Sequence, residues 1–231
     1  MNPTEFRQDI SPKASLAEKL ADEIIAYILK NRLKAGDKLP NEYQLSAILN
    51  AGRGSVREAV KLLISRNVIE IRRGDGTYIS SKQGIAEDPL GLTFVQDKRR
   101  LAQDLLEIRF MIEPKIAAYA AENAGEEDIR ELSRLCDETE GLIRQGENHA
   151  SADMKFHSHI ALSSKNLVAP RLIPIIQNAI FLLVDLTRSS LLKETIEGHR
   201  ELFNAIAHRR PTAAYDAMYL HLVYNRRMLG K

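Results

Sequence analysis

Apolar residues recur at helical spacing in block after block of this 231-residue chain, and the pattern yields to short β runs at one place, between Val68 and Ile79. A chain patterned in this way is mainly α with one small hairpin. The first blocks are short. Leu16, Leu20, Ile24, Ile28 and Leu29 predict a helix from about Ser15 to Asn31, with Ser15 available as its cap. Gly36 and Pro40 end that stretch. Asn41 can cap a second helix, Glu42 to Leu49, and Asn50-Ala51-Gly52 turns the chain into a third, Arg53 to Arg66. Then Val68-Ile69-Glu70-Ile71-Arg72 and Thr77-Tyr78-Ile79 flank Arg73-Gly74-Asp75-Gly76, which reads as a β-hairpin about a glycine turn.

Three helices, the last two joined by a tight turn and followed by a hairpin, describe a winged helix-turn-helix over residues 1–80. Charge is divided to match. Residues 1–84 carry 14 Lys/Arg against 10 Asp/Glu, a net of +4, whereas residues 85–231 carry 19 against 21, a net of −2. On the third helix Val56, Ala59, Val60 and Leu63 share one face, and Arg53, Arg57 and Lys61 form an i, i+4, i+8 ridge beside it. Such a helix fits a DNA major groove, where guanidinium groups reach guanine O6 and N7 or clamp phosphates. Gly74 and Gly76 let the wing tip approach the backbone, and Arg72 and Arg73 supply charge there. The same pattern also suits a solvated cationic ridge on a small helical domain.

From Ser81 to Asp97 the helical period lapses around Gly84, Asp88-Pro89 and Gly91, which predicts a linker over residues 81–97. Beyond it six blocks resume: Leu101 to Ala124, Glu127 to Ile143, Ala152 to Leu162, Leu172 to Leu186, Thr195 to Ala207 and Ala213 to Leu229. They predict an all-α bundle of six or seven helices over residues 98–231, punctuated by Pro170, Pro174 and Pro211. The apolar run Ala179 to Val184 is far short of the ~20 residues that cross a bilayer. The polar start, with Glu5, Arg7 and Asp9, does not read as a secretory signal, so a cytoplasmic protein with no membrane partner is expected. The single cysteine, Cys136, reads as a buried, inert thiol.

Histidine placement singles out one constellation. Asp153 and His157 lie four apart, on one helix face. His199 and His221 lie 11 and 10 residues either side of the break at Arg210-Pro211, so they come level across a helical hairpin whose arms are roughly 15 to 17 Å long. One carboxylate and three imidazoles suit a divalent transition metal, zinc first, with nickel or manganese as alternatives, and leave coordination positions open. Spacing alone leaves room for three unrelated histidines and a solvated aspartate.

Leu39-Pro40-Asn41-Glu42, Arg53-Gly54-Ser55-Val56-Arg57-Glu58-Ala59 and Arg73-Gly74-Asp75-Gly76-Thr77-Tyr78-Ile79 together resemble the N-terminal domain of the GntR superfamily of bacterial transcription regulators. The resemblance implies that Arg53 and Arg57 contact operator bases and phosphates, and that the wing from Gly74 to Thr77 lies against the groove. Two positions depart from the family pattern: Tyr43 stands where an arginine is common, and Gly52 where a serine or threonine caps the recognition helix. Asp153-x3-His157, followed by His199 and His221, is similar to the metal-binding pattern of the helical FCD-type domain of the FadR subfamily. Arg109-x3-Glu113-Pro114, followed by Ala117-Ala118 and Ala120-Ala121, is similar to that domain's opening helix.

The resemblance implies a regulator of transcription that binds double-stranded operator DNA and responds to a small organic or sugar acid held at the metal. Arg109 is a candidate second anchor for the effector carboxylate, in competition with an ordinary pairing to Glu113, and Asn225 could donate to a ligand hydroxyl. A homodimer follows from matching a two-fold protein to a palindromic operator. The alternatives are a metal-sensing regulator or a metal-dependent enzyme fused to a DNA-binding module. Against turnover, the sequence has no HExxH and no glycine-rich phosphate loop.

Overall fold

The computed structural model of the chain describes residues 14–82, 84–86, 88–184 and 192–229. The polar start and the expected end of the Leu172 block at Leu186 lie outside the described residues. The chain divides into two units, residues 1–87 and 88–231.

The first unit begins with α1 (Leu16–Lys30), closed at its start by a reciprocal capping box: the Glu18 amide donates to Ser15 Oγ and the Ser15 amide to Glu18 Oε2 at 2.7 Å. Leu20, Ala21, Ile24 and Ile28 form its buried stripe against α3. Asn41 and Gln44 cap α2 (Glu42–Ile48) in the same reciprocal way. Asn50, left-handed at φ 49°, turns the chain into α3 (Arg53–Ser65), which buries Val56, Ala59, Val60 and Leu63. Gly52 stands at the N-cap with extended backbone and supplies no side-chain bond, so α3 starts without the hydroxyl cap.

Strands β1 (Ile69–Arg72) and β2 (Gly76–Ile79) pair antiparallel from Ile69 opposite Ile79 to Arg72 opposite Gly76. Ile69 and Ile79 join the helices' core, so one end of the hairpin is fixed while its glycine tip projects. The fold class is mainly α, a winged helix-turn-helix followed by a helical unit.

In the second unit Asp88 accepts from the Leu92 and Thr93 amides at 2.8 and 2.9 Å, closing a 3-10 turn (Leu92–Phe94) inside the segment expected as linker. Six α-helices follow among the described residues: α4 (Lys98–Asn123), α5 (Glu126–Gln145), α6 (Ala150–Ser163), α7 (Ala169–Val184), α8 (Leu192–Ala207) and α9 (Pro211–Leu229). Helix α4 packs on α6, α7, α8 and α9 and is the axis of the bundle. Its alanines, Ala117, Ala120 and Ala121, are fully buried against Leu132, Phe156, Leu202 and Met218. Small side chains there let neighbouring helices approach closely.

Proline use differs from expectation. Pro211 begins α9 and Pro170 lies in the first turn of α7, where a missing amide costs nothing, but Pro174 lies within α7. Pro114 is likewise inside α4. Packing on neighbouring helices overrides the local preference at both.

Candidate metal centre and DNA-reading face

Helix α3 carries its cations on the side away from the core. Arg53 opens the helix, Arg57 pairs with Glu42 of α2 (Nε–Oε2 3.0 Å), and Lys61 pairs with Glu58 at 2.9 Å. Both pairs are solvent-exposed, worth little in water and readily exchanged for phosphates. Tyr43, 71% exposed, and Arg53 border an open groove together with Ser46, Ala47, Asn50 and Ala51, so the departing tyrosine belongs to the same face.

In the wing, Gly74 adopts φ 76° and Gly76 φ 145°, conformations that L side chains rarely take. The turn is braced from both sides: Asp75 accepts from Tyr78 Oη at 2.6 Å and from Lys38 Nζ at 3.0 Å. These two donors hold the Asp75 carboxyl below its ordinary value. Arg72 lies over the Tyr78 ring, 4.1 Å from its centroid, and is also bonded to Glu70. Arg73 makes no ion pair among the described residues, and Thr77 follows the tip within β2.

The helical unit brings four of the expected residues together. Asp153 and His157 come from α6, His199 from α8 and His221 from α9; one ligand atom from each lies within 4.8 Å of the others. The ring centroids of His157 and His199 are 5.4 Å apart, and each is 5.0 Å from that of His221. All three histidines are buried. His199 Nε2 is 3.1 Å from Asp153 Oδ1 but makes no hydrogen bond, and His199 Nδ1 and His157 Nε2 are equally without partners. Buried nitrogens left bare are costly unless something fills the space between them. Two donors ~3 Å apart and not bonded to each other match ligands that share an ion at ~2.1 Å. The donor set fits a divalent cation.

Electrostatics agree with that use. Burial pushes His199 down against the pull of Asp153, and burial with the neighbouring His199 and His157 rings holds His221 well below its ordinary value. A neutral ring keeps a lone pair for an ion. Burial works to raise the Asp153 carboxyl, and the close contact with His199 Nε2 is the first of the influences that lower it. Phe156 walls one side, its ring 4.5 Å from that of His199.

The two expected effector contacts are placed differently. Asn225 lies one turn beyond His221, Nδ2 to Nε2 3.3 Å. Arg109 is buried and turns its Nε and Nη2 edge onto Glu113, at 2.5 and 3.2 Å, so the pairing with Glu113 is the one it makes. Glu113 went unassigned in the sequence, where it reads as half of a helical ion pair. Its Oε2 lies 3.1 Å from His157 Nδ1, a contact across 44 residues that no spacing rule exposes. Burial acts to raise Glu113, yet Arg109 and His157 bring it down to about 2.

Residues 16–79 match the description "Bacterial regulatory proteins, gntR family", and residues 104–224 match the FCD domain. Among relatives, the HTH-type transcriptional regulator YcbG of Bacillus subtilis (strain 168) is 30% identical, over 96% of this chain and 93% of its own. The galactonate operon transcriptional repressor of Escherichia coli (strain K12) is 26% identical over 87% of this chain and 91% of its own. A solved structure, Streptococcus agalactiae GntR, is 40% identical and superposes with a TM-score of 0.82, covering 91% of this chain and 99% of that one. The chain is a DNA-binding regulator of transcription rather than an enzyme, and it belongs to the GntR family, with an FCD domain as its helical unit.

Proposed function

We propose that the chain binds a palindromic operator as a homodimer in the cytoplasm and that a small organic or sugar acid, held at a divalent metal in the helical unit, alters that binding. The observation that carries this reading is the meeting of Asp153, His157, His199 and His221 with bare, buried ring nitrogens between them. The metal would supply a Lewis-acidic anchor for a carboxylate. Zinc is the first candidate for a site with one carboxylate and three imidazoles, ahead of nickel and manganese. Asn225, whose Nδ2 lies 3.3 Å from His221 Nε2, would donate to a hydroxyl of the acid, while Arg109, paired with Glu113, would have only its outer donors to offer. A relative that is the galactonate operon transcriptional repressor of Escherichia coli supports an effector of this chemical class.

On the DNA side, Arg53, Arg57 and Lys61 would enter the major groove, with Arg72, Arg73, Gly74, Gly76 and Thr77 along the backbone. Residues 81–97 would join the reader to the receiver. Coupling requires only that the acid favour one of two arrangements of the paired readers. Calorimetry with a panel of aliphatic and sugar acids, on metal-loaded and chelated protein, tests the reading. Acid binding that disappears on chelation supports it. Operator affinity that follows metal concentration with no acid bound would favour a metal sensor.

A further inference from the structure

Arg109 and Glu113 form a buried ion pair beside the metal centre, and their contact with His157 orients that ring. Glu113 has an acceptor on each side of its carboxylate: Oε1 takes Arg109 Nε at 2.5 Å, and Oε2 faces both Arg109 Nη2 at 3.2 Å and His157 Nδ1 at 3.1 Å. Glu113 is 2% exposed and Arg109 5%, so these contacts are made away from bulk water. An ionised carboxylate only accepts, and therefore the proton of a neutral His157 ring must sit on Nδ1. The other nitrogen, Nε2, is then bare, and it is a buried atom of His157 with no hydrogen-bond partner.

We infer that Glu113 is a positioning residue that fixes the Nδ1–H tautomer of His157, turning its Nε2 lone pair toward Asp153, His199 and His221, and that Arg109 serves the site by holding the Glu113 carboxylate in place. This rests on the metal reading above. It assigns Arg109 a role through Glu113 in place of direct capture of the effector. A carboxylate behind a ligating histidine is the usual way such rings are aligned, and its loss typically costs 10- to 100-fold in metal affinity.

Glu113→Gln makes the test sharp because Arg109 can only donate. The amide oxygen of the substituted side chain must face Arg109, which points its NH2 at His157 Nδ1 and forces the ring proton onto Nε2, where it blocks the ion. Nitrogen-15 spectra of the imidazoles in metal-free protein, recorded in alkaline buffer, should show wild-type His157 as Nδ1–H and Glu113→Gln as Nε2–H. Zinc titrations should show roughly 10- to 100-fold weaker binding for Glu113→Gln. The double variant Arg109→Gln/Glu113→Gln frees the amide oxygen at position 113 to face His157 and should restore both the Nδ1–H signal and most of the affinity.

An Nε2–H ring in the metal-free wild type overturns the inference, and this measurement needs no variant to fold. Wild-type zinc affinity in a folded Glu113→Gln also overturns it, as does a double variant that binds no better than the single one. Failure of the wild type to bind zinc, nickel or manganese at all would instead overturn the metal reading, while the tautomer spectrum would still decide the role of Glu113.

Discussion

Arg57 shows how much a single side chain can be asked to do. In the free protein its guanidinium lies against Glu42, an exposed pair that aims it along the outer face of α3 without holding it there. Arg57→Ala should weaken operator binding by about 1–3 kcal/mol if it reads a base edge. Discrimination among altered operators, measured by gel-shift titration, should relax at one position; a uniform loss with a shallower salt slope would mark a phosphate contact instead. At this scale the meeting of Asp153, His157, His199 and His221 was legible because spacing on a helix and level placement across a hairpin are local facts. Glu113 was not, since Arg109-x3-Glu113 has the same spacing as any solvated ion pair, and only burial beside α6 separates the two.

Elements owe their positions to a few fixed contacts. The wing is held by Asp75 between Lys38 and Tyr78, and a Cβ at Gly76 would come within 2.8 Å of Lys38 Cε while forcing an L residue to φ 145°. Gly76→Ala should therefore destabilise the first unit by about 1–3 kcal/mol in urea unfolding and lower operator affinity along with it. In the second unit Asp128 ties the start of α5 to Lys165, accepting from the Gly125 amide at 2.7 Å and from Lys165 Nζ at 2.5 Å. Burial opposes ionisation there, but these donors prevail and lower the carboxyl from its ordinary 3.8. A carboxyl depressed in the folded state adds stability above its unfolded value and loses it as pH falls through the folded one. Thermal melts of wild type should thus decline below about pH 4 more steeply than those of Asp128→Asn. Each helix of the bundle was legible to within a few residues over its described length, because amphipathic period is written locally. Pro174, expected as punctuation, lies inside α7, where packing on neighbouring helices tolerates it.

At the scale of the whole molecule, α6, α8 and α9 each contribute to one buried cluster, so anything that binds there braces three elements at once. A ligand that binds only the folded state raises stability by about 2.7 kcal/mol at a hundredfold excess over its Kd. Chelation should accordingly lower the melting temperature of the protein, and added zinc should restore it. Calorimetric scans with and without chelator check this, and an unchanged transition would mean the cluster binds no metal. No described helix is long and apolar enough to cross a membrane.

Gly198 precedes His199 on α8, and a methyl group placed on it would press within 3.3 Å of His221 Nδ1. The bareness of that position sets the aperture between the two rods that carry these rings. Gly198→Ala should prise the rods apart by a few tenths of an ångström, and competition titrations should then move in favour of manganese over the smaller zinc ion. Cation choice would in that case be gauged by a residue that donates nothing to the cation.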